Sequence, residues 1–187
     1  MSRLLKISFT VIAIILLVVF FRLFLMGYYY DFLEYWTLRD KIVWTKTTKL
    51  KWSDFHKSDD EIGLYAKVGL SSRYNVNDPI LFRSKTVFIP KESYVTDTTI
   101  SADLRVAQAK FDLLEVFRRK MESEVDSIRK SNNNQYKPSD FKKMNRRYYE
   151  MFDTIWQKFK DSEDRLEKLE RIEKMVNLKL YNITESN

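Results

Sequence analysis

The spacing of apolar positions changes twice along the chain and divides it into three parts. From Ile7 to Phe21 nearly every residue is apolar, broken only by Ser8 and Thr10, and Leu23–Met26 extends the run past Arg22. A helix of about 20 residues spans about 30 Å, one hydrocarbon thickness, so residues 7–26 are expected to form a transmembrane helix. Arg22 lies near the outer end, where a long side chain snorkels to the interface. Tyr28, Tyr29, Tyr30 and Trp36 supply an aromatic belt in a juxtamembrane segment over 27–41. Arg3 and Lys6 precede the run, which places a short tip, residues 1–6, in the cytoplasm and the rest outside. No small-residue cleavage site follows, so the run reads as an uncleaved signal anchor of the inner membrane.

Residues 42–187 then read as one extracytoplasmic α+β domain, with a strand-rich half followed by a helical half. Strands are expected over about 42–95. Ile42-Val43-Trp44 begins one, and Leu50-Lys51-Trp52 alternates apolar and polar. Leu64–Tyr74 reads as another, with Gly69 at a bulge. Ile80–Phe82 and Thr86–Ile89 read as two more, stopped by Pro90. Asp59-Asp60-Glu61 and Asn77-Asp78-Pro79 are turn signals. From Ser101, a plausible N-cap, the period becomes helical over 101–129, with Leu104, Ala107, Phe111, Leu114, Met121, Val125 and Ile128 on one stripe interrupted by Arg118. A connector at 131–138 leads to helical segments over 139–176, with Phe141, Met144, Tyr148, Phe152, Ile155 and Phe159 apolar and a break at Lys160–Asp164. The last segment pairs Asp164, Glu167 and Glu170 with Lys168, Arg171 and Lys174, acid before base at i,i+4, as an exposed face requires. Leu178 and Leu180 suggest a short final strand.

Composition excludes more than it assigns. The chain has no Cys, which removes disulfides, thiolate metal sites and a cysteine nucleophile. His56 is the only imidazole, so no zinc site built on two histidines exists. With only Gly27, Gly63 and Gly69, there is no phosphate-cradling loop. Of the net charge of +7, +3 belongs to residues 1–30 and the remainder is thinly spread. Its densest run, Lys142, Lys143, Arg146 and Arg147, reads as a solvated helix face rather than a nucleic-acid stripe. No G-x-S-x-G elbow accompanies His56. Trp52, Phe55, Phe111 and Phe117 read as core. Asn182-Ile183-Thr184 matches a glycosylation sequon.

Three short motifs occur in a telling order. They are Leu50-Lys51-Trp52-Ser53-Asp54-Phe55, then Val87-Phe88-Ile89-Pro90-Lys91-Glu92-Ser93-Tyr94-Val95, then Leu104 followed by Val106-Ala107-Gln108-Ala109-Lys110-Phe111-Asp112-Leu113-Leu114-Glu115. Together they resemble a family of bacterial envelope proteins described as secreted zinc-dependent proteases. Those proteins read L-x-W-x-D-F, V-x-F-x-x-x-x-S-W-V and L-x-x-H-E-Q-x-H-F-D-I-x-E at the same places. The resemblance covers about 50–180 and implies a zincin-like domain.

The departure falls on the chemistry. In H-E-x-x-H two imidazoles one turn apart bind zinc, and the Glu activates the bound water. The resemblance puts Val106, Ala107 and Lys110 at those three positions. A further family His is also missing around Asp164–Leu166. The expectation is a pseudoenzyme with no catalytic residue, metal or cofactor. It would act as a binding or scaffold subunit for other envelope proteins, its former substrate groove open to a peptide by strand addition. The alternatives are a hydrolase using a carboxylate pair without zinc, and a spacer acting through its membrane helix.

Overall fold

The structure is a computed structural model that describes residues 3–58, 63–75, 81–131 and 136–181, with side chains described throughout these except at 3–9, 22–27 and 75. The chain divides into two compact units, Met1–Arg39 and Asp40–Asn187.

The first unit is one helix, α1 (Arg3–Leu38). Among the described residues no helix is long and apolar enough to cross a membrane. This corrects the expected transmembrane signal anchor over 7–26, and with it the single-pass topology. Among the residues whose side chains are described, the unbroken apolar stretch is Val11–Phe21, fewer residues than a membrane-spanning helix requires. Beyond it α1 carries Asp31, Glu34 and Thr37 among its aromatic residues. The side chains of residues 7–9 and 22–26 of the expected span, with those of Arg3 and Lys6, lie outside the described residues.

The second unit is α+β, with two small sheets and three α-helices among the described residues. Its first sheet has the order β1-β5-β4, all antiparallel, with β1 (Ile42–Val43), β4 (Val68–Asn75) and β5 (Leu81–Phe88). The second has the order β2-β6-β3, with β2 (His56–Lys57), β3 (Leu64–Tyr65) and β6 (Tyr94–Val95). In it β2 runs parallel and β3 antiparallel to β6. The helices are α2 (Ser101–Lys130), α3 (Pro138–Lys160) and α4 (Arg165–Leu180).

Several elements differ from the sequence expectation for local reasons. Residues 64–74 are not one bulged strand. Gly69 pairs directly with Val87 in an unbroken register, and the interruption falls at Ala66-Lys67, where the chain passes from one sheet to the other. There the Lys67 N–H donates to the Ser93 hydroxyl (2.9 Å), and Lys110 Nζ donates to the Ala66 carbonyl (2.7 Å). The two expected strands over 80–89 are one strand, β5, whose inward positions Ser84 and Thr86 are buried although polar. Their hydroxyls meet Ser72 (2.9 Å) and Glu115 (2.9 Å), which lets hydroxyls occupy an apolar face. Leu50-Lys51-Trp52 is not a strand. The Leu50 N–H donates to Gln108 Oε1 (2.9 Å), and Trp52–Asp54 forms a single 3-10 turn closed by Lys51 N–H on Asp54 Oδ2 (2.7 Å). Ser101 is the first helical residue and Ile100 the N-cap, without a side-chain cap. The suggested strand at Leu178 and Leu180 is helical, because Val176 and Leu180 continue the buried i,i+4 row of Leu169 and Ile172. The turn signals at 59–61 and 77–79, the sequon at 182–184 and much of the connector lie outside the described residues.

Helix α2 is central. Every residue from Phe111 to Phe117 is buried, so the helix is enclosed on all sides there. Phe111 meets Phe88 (centroids 6.3 Å) and Phe88 meets Phe55 (5.0 Å), both edge to face, linking α2 to β5 and the second motif to the first. A second cluster at the far end of α2 joins Met121, Val125 and Ile128 to Phe82 and Phe141. Pro138 opens α3 at its first turn, and Asp140 accepts the Lys137 N–H (2.9 Å).

Candidate functional site

Helix α2 presents two opposite faces at the level of the third motif. Gln108, Asp112 and Glu115 lie at i, i+4 and i+7 on one, while Asp103, Val106, Ala107 and Lys110 lie on the other. The first face holds the fold. Trp44 Nε1 donates to Asp112 Oδ1 (2.7 Å), as does Gln108 Nε2 (2.8 Å), so the 44–50 segment is stitched to the helix. Burial raises the Asp112 carboxyl above its usual range, and those two donors pull it back. Glu115 is 2% exposed. It accepts Arg118 Nε (2.6 Å) and Nη2 (2.8 Å), Arg119 Nε (3.0 Å) and the Thr86 hydroxyl (2.9 Å). This explains why Arg118 interrupts the apolar stripe: its guanidinium is neutralised beside the strand and also donates to the Ser84 carbonyl (3.0 Å).

The second face opens into a cleft of about 420 Å³. One wall is the Gly63–Val68 segment, the floor is Val106 and Ala107 of α2, and the opposite wall is α3 through Tyr149, Asp153, Trp156 and Lys160, with Arg165 at the start of α4. Gly63 enters this wall at φ +86°, in the left-handed region, and is tied to Thr96 through its N–H (2.9 Å) and carbonyl (3.0 Å). Beyond it β3 lies at the edge of its sheet, with its other side facing away from β6. Lys110 bridges the walls. Its Nζ donates to Ala66 O and lies 5.3 Å from the Tyr65 ring centroid and 5.4 Å from that of Trp156.

The electrostatics follow from this enclosure. Burial, then the charge of Lys160, lower the Lys110 ammonium to about 8, with Lys67 adding to the effect and Asp153 opposing it. Asp103 is raised above the ordinary carboxylate range, first by burial and then by Asp97. Burial also raises the Tyr149 phenol. At neutral pH the Lys110 ammonium is still mostly protonated, so the cleft presents a half-desolvated cation between two aromatic rings.

The three positions singled out in the sequence, Val106, Ala107 and Lys110, thus line one cleft. They do not fit a zinc ion: two carry no donor atom, and the third is an ammonium. Among the described residues no group of three or more His, Cys, Asp or Glu is gathered to hold a metal. His56 is exposed on β2 and is not among the cleft's lining residues. Lys142, Lys143, Arg146 and Arg147 are exposed on α3, where Arg146 pairs with Glu150 (2.7 Å) and Arg147 with Glu124. Sequence reasoning missed the cleft's other walls. A signal for one of them exists: Tyr149, Asp153, Trp156 and Lys160 recur at helical spacing beside the apolar stripe of α3.

Neither the family models, nor the curated proteins, nor the solved structures include a match to this chain. The likeness to the zinc-protease family, with the zincin-like fold it implied, therefore has no support beyond its three motifs.

Proposed function

We propose that the second unit is a non-catalytic binding module that takes an extended peptide segment of another protein into the cleft between Gly63–Val68 and α3. The observation that carries this reading is the composition of the cleft. A sheet-edge strand forms one wall, aromatic rings stand on both sides, and apolar helix residues make the floor. An edge strand offers main-chain hydrogen bonds to an added strand, while the rings and the floor receive alternate side chains. The floor residues Val106 and Ala107 carry no reactive side-chain group, which supports recognition at this cleft. The module then serves as a scaffold subunit of a protein assembly.

The test is capture of short random peptides by the full chain, against a chain carrying Val106→Trp, which fills the floor. Capture by the unmodified chain and its loss in a folded Val106→Trp chain support the reading. Equal capture by both, or capture by neither, refutes it.

A further inference from the structure

The charges lining the cleft are unequal. Lys67, Lys110, Lys160 and Arg165 face only Asp103 and Asp153. Lys67 lies 3.6 Å from Glu92 and is partly neutralised. Lys110, Lys160 and Arg165 form no ion pair with any described residue. Lys110 spends one ammonium hydrogen on Ala66 O, which leaves two without a described acceptor at a place walled by Tyr65 and Trp156. A cation in such surroundings has lost much of its hydration, and a charge-assisted hydrogen bond there is stronger than one in open water.

Resting on the peptide reading of this cleft, we infer that the bound segment presents a carboxylate to Lys110, from an Asp or Glu side chain or from its own C-terminus. Two open N–H groups match the two oxygens of one carboxylate, whereas Asp103 and Asp153 in the same walls oppose a dianion such as a phosphate more strongly than a singly charged carboxylate. The depressed titration of Lys110 agrees with this, since burial, then Lys160 and Lys67, disfavour the ammonium and an adjacent anion favours it. Trp156 and Tyr65 then hold the apolar part of the residue that carries the carboxylate.

The experiment is an array of short random peptides at neutral pH and low salt, each present with a free and with an amidated C-terminus. It is probed with the full chain and with chains carrying Lys110→Met or Lys110→Arg. The expected result is enrichment of acidic or free-carboxylate peptides, an affinity about tenfold or more lower for Lys110→Met, and recovery of most of it by Lys110→Arg. Amidation abolishing capture assigns the C-terminus, and Asp→Asn or Glu→Gln in the peptide abolishing it assigns a side chain. Capture of acid-free amidated peptides as readily as acidic ones overturns the carboxylate while leaving the peptide reading intact. Failure of the folded, unmodified chain to capture any peptide overturns both. The peptide-side comparison uses the unmodified chain alone, so it stands even where Lys110→Met does not fold.

Discussion

Glu115→Ala is the sharpest test of what holds α2 in place. The carboxylate is 2% exposed and accepts from Arg118 through both Nε (2.6 Å) and Nη2 (2.8 Å), from Arg119 (3.0 Å) and from Thr86 (2.9 Å). Through these contacts α2 is joined to β5, and Arg119 Nη1 continues to the Leu180 carbonyl at the end of α4 (3.3 Å). Removing the carboxylate leaves Arg118, whose side chain is only 14% exposed, with the Ser84 carbonyl and the more exposed Glu122. Breaking a buried pair from one side costs about 3–5 kcal/mol, because the partner's charge stays desolvated. Domains of this size are stable by about 5–15 kcal/mol in total. At about 2–4 °C per kcal/mol the midpoint should fall by roughly 6–20 °C. Thermal and urea unfolding followed by helical circular dichroism measure this directly. A second arm replaces Glu115 together with its most buried charged partner, Glu115→Leu with Arg118→Met, and should cost less than Glu115→Ala because the buried Arg118 charge is removed with it, while Arg119 and Thr86 still lose their acceptor. A loss below about 1 kcal/mol for Glu115→Ala, the size of an ordinary substitution, would refute the argument.

Lys110 gives a pH prediction whose sign is fixed by its lowered titration. Its folded value of about 8 lies below the unfolded one, so between pH 8 and 10 the unfolded chain holds more protons and stability rises with pH. Measured against Lys110→Met, which cancels contributions common to both chains, the unmodified chain should gain about 2 kcal/mol across that interval. A difference that stays flat by urea unfolding contradicts the buried ammonium. Gly63→Ala should destabilise by about 1–2 kcal/mol, since nothing lies within 4 Å of an added Cβ and the whole cost is the left-handed backbone at φ +86°. A neutral effect on the urea midpoint would show that the turn relaxes.

Much of this architecture is legible in the sequence where one periodicity dominates. The stripe from Leu104 to Ile128 marks α2 because each of those positions faces a core, and its exception, Arg118, is explained by Glu115 one turn earlier. The break at Lys160–Asp164 separates α3 from α4 because charged residues replace the apolar row there. What could not be read depends on distant partners. Ser84 and Thr86 interrupt an apolar alternation, and only Ser72 and Glu115 make them inward residues of one strand. The end of the Leu64–Tyr74 run is decided at Ala66 and Lys67 by Lys110 and Ser93, side chains far along the chain. Of the cleft, the α2 floor was reached only through the resemblance of the third motif. Tyr65, Trp156 and Arg165 belong to three other elements, and no local pattern brings them together.

The central claim is that the cleft between Gly63–Val68 and α3 is the binding surface. Amide hydrogen exchange of the full chain, with and without a saturating captured peptide, tests it most directly. The account predicts slowed exchange confined to residues 63–68, the 103–110 turns of α2 and the 149–160 face of α3, with the largest change in β3, whose open edge gains hydrogen bonds. Protection that leaves 63–68 unchanged and appears on another face would contradict it.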